Sequence, residues 1–89
     1  MKSIEEVLGN DQRVWLAVDV DEKETFLQWV KDCGCRWTGG GEIEPKKDYC
    51  GPFMGIDRDL SIGYVSAMCY CLARHGEARK LRFKDLKEE

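Results

Sequence analysis

The sequence predicts one α+β domain spanning residues 1–89, with a four- or five-stranded, mainly antiparallel sheet covered by one principal helix. Three observations carry this. Arg13-Val14-Trp15-Leu16-Ala17-Val18-Asp19 is apolar at both alternating sets of positions, the pattern of a central strand buried on both faces. Phe26, Leu27, Val30 and Cys33 recur at i, i+1, i+4 and i+7, which gathers them into one helical stripe. Phe53-Met54-Gly55-Ile56 and Leu60-Ser61-Ile62-Gly63-Tyr64-Val65 flank the turn Asp57-Arg58-Asp59, as two hairpin strands do, with Leu60, Ile62 and Tyr64 on one face.

The remaining elements follow in chain order. Ser3 to Leu8 reads as a short helix stopped by Gly9-Asn10. The principal helix is expected to start near Asp21, because Asp21 precedes Glu24 by three residues in a capping-type pattern and acids favour a helix N-terminus. Gly34 supplies its left-handed stop. Cys35 to Thr38 reads as a short strand, and Gly39-Gly40-Gly41 opens a flexible polar loop running to about Asp48. Ser66 to Arg74 fits a short helix capped by Ser66 and ended by Gly76, although Cys69-Tyr70-Cys71-Leu72 also tolerates an extended path. Arg79 to Phe83 alternates as a half-buried strand, with Lys80, Arg82 and Lys84 on one side.

Composition narrows the function classes. No apolar run approaches the roughly 20 residues that cross a bilayer, and Met1-Lys2-Ser3-Ile4-Glu5-Glu6 lacks a signal-peptide core, so the expected location is cytoplasmic with no membrane partner. The five cysteines are odd in number and are read as free thiols. The net charge of −3 divides unevenly, with ten acids against five bases in residues 1–44 and seven against nine in residues 45–89. That balance argues against general binding to duplex nucleic acid, which takes a strongly basic domain.

The run Cys33-Gly34-Cys35-Arg36-Trp37-Thr38-Gly39-Gly40, then Ile62-Gly63-Tyr64-Val65-Ser66, then Leu81-Arg82-Phe83-Lys84-Asp85-Leu86, resembles a pattern in small α+β accessory proteins encoded by bacteriophages. In those proteins a helix ends in Gly, a Trp-bearing strand and a small-Gly pair follow, and a late strand closes the chain. The resemblance spans about residues 13 to 86. It implies a phage origin and action in the bacterial host cytoplasm. It further implies inhibition of a host defence factor, either by sequestering a small nucleotide signal or by blocking a protein, and a single His with no recognisable catalytic motif makes a non-enzymatic binding protein the expected kind.

Several constellations bear on chemistry. Gly39, Gly40 and Gly41 would let backbone N–H groups approach a phosphate, with Trp37 and Thr38 beside them and Lys46 and Lys47 adding charge. Lys80 and Arg82 share a strand face, and Arg58 sits on the hairpin turn, so these three form the basic part of the candidate ligand site. The plain alternatives are a glycine turn beside a core Trp and a solvated strand face. Cys33-x-Cys35 and Cys69-x-Cys71 offer four thiolates for a zinc-binding interaction module, but one intervening residue is too few for familiar zinc sites, so no metal or cofactor is assigned. A small hydrolase would have to use His75 with Cys50, Cys69 or Cys71 and an acid such as Asp57 or Asp85, completed between subunits. Trp29 lies off the main helical stripe and reads as either a packed corner residue or an exposed hot spot for a homo-oligomer.

Overall fold

In the computed structural model, which describes residues 2–72 and 79–87, five strands form one mixed sheet in the order β2-β4-β3-β1-β5. The strands are β1 (Arg13–Ala17), β2 (Arg36–Trp37), β3 (Phe53–Asp57), β4 (Ser61–Tyr64) and β5 (Arg79–Arg82); the helices are α1 (Ile4–Leu8), α2 (Lys23–Asp32), α3 (Ala67–Leu72) and α4 (Phe83–Lys87).

The α+β class stands, with a five-stranded sheet that is mixed rather than purely antiparallel. The β1–β3 and β3–β4 pairs run antiparallel, whereas β1–β5 and β2–β4 run parallel. The connections explain the difference. Chain that leaves a sheet through a helix returns in the same direction, so α2 carries β1 into β2 and α3 precedes β5 as crossovers, while the β3–β4 hairpin is the one tight reversal.

Alternation assigns the two faces. Val14, Leu16, Met54, Ile56 and Ile62 are fully buried on one side, beneath Phe26, Leu27 and Val30 of α2. Ile4, Val7 and Leu8 of α1 and Phe83 and Leu86 of α4 complete that core. Trp15 and Ala17 on the opposite face are only half-buried, so β1 is not covered equally on both sides. That outer face is overlain in part by α3, whose Tyr70 ring stacks on Phe53 at 4.3 Å.

Local chemistry sets the helix ends. Ser3 and Glu6 form a reciprocal capping box that starts α1. A 3₁₀ turn at Val20–Glu22 leads into α2, which begins at Lys23 without a side-chain cap; the expected Asp21 start is therefore displaced, because the Glu22 N–H bonds the Asp19 carbonyl at 2.9 Å instead. The end of α2 is as expected. Gly34 adopts φ +88°, the Cys35 N–H reaches the Val30 carbonyl at 2.9 Å and the Gly34 N–H reaches the Lys31 carbonyl at 3.0 Å, the two bonds of a Schellman stop.

Trp29 resolves as a packed residue, 8% exposed, with its indole N–H donating to the Lys2 carbonyl at 3.0 Å. It lies with Phe26 and Phe83 in a three-ring cluster with centroids 5.3 to 6.1 Å apart, so it is no exposed hot spot. The loop after Gly41 is better anchored than its composition suggests, since Ile43 is 1% exposed within the core. The strand expected to reach Phe83 ends at Arg82, and Phe83 opens α4, a helix the alternation at 79–83 does not reveal. Helix α3 confirms the helical path over 67–72, with Ser66 Oγ accepting from the Cys69 N–H at 3.0 Å; the expected stop at Gly76 lies outside the described residues.

Candidate functional site

The turn after β2 is built by Trp37 and its glycines. The Gly40 N–H donates to the Trp37 carbonyl at 2.7 Å and the Trp37 N–H to the Gly41 carbonyl at 3.0 Å, with Gly40 at φ +92°. Both the Thr38 N–H (3.0 Å) and its hydroxyl (2.8 Å) donate to the Ile62 carbonyl, which fastens the turn to β4. The Trp37 indole N–H donates to Asp48 Oδ2 at 2.7 Å, and the same oxygen accepts from the Glu44 N–H at 2.8 Å. Those two donors, the Glu44 amide first, hold the Asp48 carboxyl below its ordinary value.

Three aromatic rings continue outward from this point. Trp37 and Tyr64 lie 5.3 Å apart and tilted by 32°, and Tyr64 and Tyr49 lie 5.7 Å apart and tilted by 44°. The Tyr64 hydroxyl donates to the Tyr49 carbonyl at 2.8 Å, which fixes the order of the rings. Lys23 Nζ sits 5.3 Å from the Tyr49 ring centre. Tyr64 is 57% exposed and Tyr49 66% exposed, so the rings form a ledge open to solvent beside a cleft of about 580 Å³ lined by Trp37, Asp48 and Tyr64.

The candidate ligand residues do not converge. Trp37, Thr38, Gly39, Gly40 and Gly41 share the turn at the β2 edge. Lys46 lies instead against α2, beside Glu24, Gln28 and Asp32, and Lys47 pairs with Glu44 at 4.0 Å. Arg58 is spent on the fold: its guanidinium donates to the Gly9 carbonyl and, at 2.7 and 3.2 Å, to the Asp11 carbonyl, tying the hairpin turn to the α1–β1 connection. Lys80 and Arg82 lie on the outer face of β5, four strand positions from β2, or about 19 Å at ordinary strand spacing. Lys47 is thus already paired, and the charge bonded to the Trp37 indole is a carboxylate.

Nor do the thiols assemble. Among the described residues no three or more His, Cys, Asp or Glu side chains are grouped to hold a metal ion. Cys33 and Cys35 flank the end of α2 on the core side, while Cys69 and Cys71 are exposed on α3. Burial pushes the Cys35 thiol up to about 12 and the Cys50 thiol up to about 11, the reverse of what a nucleophile or zinc thiolate requires. Asp57 is engaged with Arg13 at 3.4 Å, and His75 lies outside the described residues.

Sequence reasoning missed Tyr49 and Tyr64 as surface residues. Tyr64 shares the parity of Ile62 and so reads as core, but β2 is only two residues long and ends opposite Ile62, leaving Tyr64 beyond the covered part of the sheet. Searches against protein-family models, curated proteins and solved structures each find no match to the chain.

Proposed function

We propose that this chain is a non-enzymatic binding protein that acts by blocking a protein partner through the Trp37–Tyr64–Tyr49 ledge. The resemblance to phage accessory proteins gives the partner class, a bacterial host defence factor. The observation that carries the reading is the ledge itself: two tyrosines more than half exposed, held in register by ring contacts and by the Tyr64–Tyr49 hydrogen bond. Tyr and Trp dominate protein-binding hot spots, and rings already fixed in place lose little freedom on association. Of the two modes of inhibition, protein blocking is favoured over nucleotide capture at the glycine turn, because Asp48 lies where a phosphate would need positive charge and Lys80 and Arg82 are at the far edge.

The test compares the wild type, Tyr49→Ala and Lys80→Ala/Arg82→Ala as baits in bacterial host extract, followed by affinity measurement on the purified partner. A hot-spot tyrosine contributes about 2 kcal/mol or more, so the ledge variant should bind at least about 30-fold more weakly while the basic-strand variant stays within a few fold. Equal binding by the ledge variant, or loss confined to the basic-strand variant, would overturn the reading.

A further inference from the structure

A second cleft opens on the outer face of the sheet, across β4 from the ledge. Gly55 and Gly63 face each other directly across the β3–β4 pair, and side chains close over both: a Cβ would stand 3.3 Å from Val65 Cγ2 at Gly55 and 3.1 Å from Thr38 Oγ1 at Gly63, which leaves a narrow trough. The pyrrole edge of Trp15 lies along this trough, with Cδ1 3.3 Å and Nε1 3.5 Å from where a Cβ on Gly55 would stand. The cleft above it has a volume of about 320 Å³, at the small end of sites that take organic ligands.

The polar groups around the trough are complementary in kind. Trp29 and Trp37 both give their indole N–H to an oxygen, whereas the Trp15 N–H has no partner among the described residues and borders the cleft. A half-buried indole N–H ordinarily finds an acceptor. Ser66 Oγ already accepts from the Cys69 N–H, which leaves its proton to donate. Asp57 supplies acceptor oxygens and Arg13 supplies donors at one end, and the two cancel in charge at 3.4 Å.

We infer that this cleft binds a neutral, planar heterocycle carrying N–H donors and carbonyl or ring-nitrogen acceptors on one edge, the chemistry of a nucleobase. The ring enters the trough by its polar edge, where Trp15 Nε1 and Ser66 donate to its acceptors and Asp57 accepts from its N–H. The balanced Arg13–Asp57 pair gives no net attraction for a phosphate, so a nucleoside binds at least as well as its monophosphate. The cleft shares Tyr64 with the ledge, so the two readings are separated by residues that only one of them uses, Trp15 for the cleft and Tyr49 for the ledge.

The test follows the backbone amide and indole N–H signals of the ¹⁵N-labelled full chain by NMR while adenosine, guanosine, cytidine, uridine and their 5′-monophosphates are added separately, with a blocked dipeptide amide as control. The expected result is a saturable shift of the Trp15 indole signal with at least one nucleoside, at a dissociation constant of about 0.1–1 mM, accompanied by Gly55, Gly63 and Ser66 and not by the Trp29 indole. Trp15→Phe keeps an aromatic ring but removes the donor, and should weaken binding about tenfold with the amide spectrum otherwise retained. No saturable shift by about 10 mM nucleoside, shifts confined to Trp37, or equal binding of the dipeptide would each overturn the assignment.

Discussion

Arg58 separates a structural cation from a ligand-binding one. Its side chain donates to two backbone carbonyls, those of Gly9 and Asp11, and its own backbone N–H donates to the Gln12 carbonyl at 2.9 Å. Replacing it by Ala removes the side-chain bonds and leaves the backbone bond. Hydrogen bonds from charged donors contribute about 1.5–3 kcal/mol when shielded, but Arg58 is exposed and water takes over the freed carbonyls, so about 1–2 kcal/mol is expected for the whole clamp. For a domain of this size that corresponds to a fall in Tm of roughly 4–16 °C. The assay is urea and thermal unfolding of the wild type, Arg58→Ala and Arg58→Lys. Lysine keeps the charge but lacks the planar fork, so it should recover less than half of the loss. A change in Arg58→Ala within about 0.3 kcal/mol of zero, together with weakened partner or nucleoside binding, would refute the clamp and return Arg58 to a binding surface.

Further outcomes follow from the same geometry. Gly34→Ala should cost about 1 kcal/mol in chemical denaturation through the φ of +88° alone, since an added Cβ would meet nothing closer than Leu60 Cδ1 at 3.9 Å. Phe83→Ala opens the Phe26–Trp29–Phe83 cluster and should cost about 3–5 kcal/mol, read as a large loss of cooperative thermal unfolding. Asp48 is lowered from its ordinary 3.8 by folding, so its stabilising effect is full above that value and is lost as pH falls through the lower folded one; the Trp37 indole NMR signal should move in that acid window, and Asp48→Asn should abolish the movement. Thiol-reagent labelling of the native protein should reach Cys69 and Cys71 first, with Cys35 and Cys50 protected until unfolding. Because Cys35 rises from 9.0 to about 12 on folding, the unfolded chain ionises first, and stability should decline as pH climbs above 9.0.

Short-range chemistry is what the sequence makes legible. The Gly34 stop, the β3–β4 hairpin and the Ser66 cap each depend on residues within a few positions, and each appears where the local pattern puts it. Strand direction is different in kind. Whether β5 joins β1 or β4, and in which sense, depends on how the helices cross the sheet, and no alternation within Arg79–Arg82 encodes it. Arg58 illustrates the same boundary at the level of a side chain: a cation on a turn tip reads as free, while its acceptors lie 47 and 49 residues earlier in the chain. Tyr64 was legible in parity and not in exposure, because exposure there depends on the length of a neighbouring strand.

The placement of β4 gives the candidate surfaces their independence. Along a strand, consecutive side chains point to opposite faces, so Tyr64 and its neighbour Gly63 address different sides of one sheet. Tyr64 extends the core face past the end of β2 and becomes the ledge, while Gly63, paired with Gly55, makes room on the outer face for Thr38, Val65 and Trp15 to close in. A larger residue at Gly63 would stand 3.1 Å from Thr38 Oγ1, the hydroxyl that fastens the Trp37 turn to β4, so that substitution would disturb both surfaces together. Trp15→Phe touches only the outer face, and Tyr49→Ala only the ledge. The two functional readings are therefore separable by substitutions on β1 and in the loop before β3, whereas changes within β4 itself would confound them.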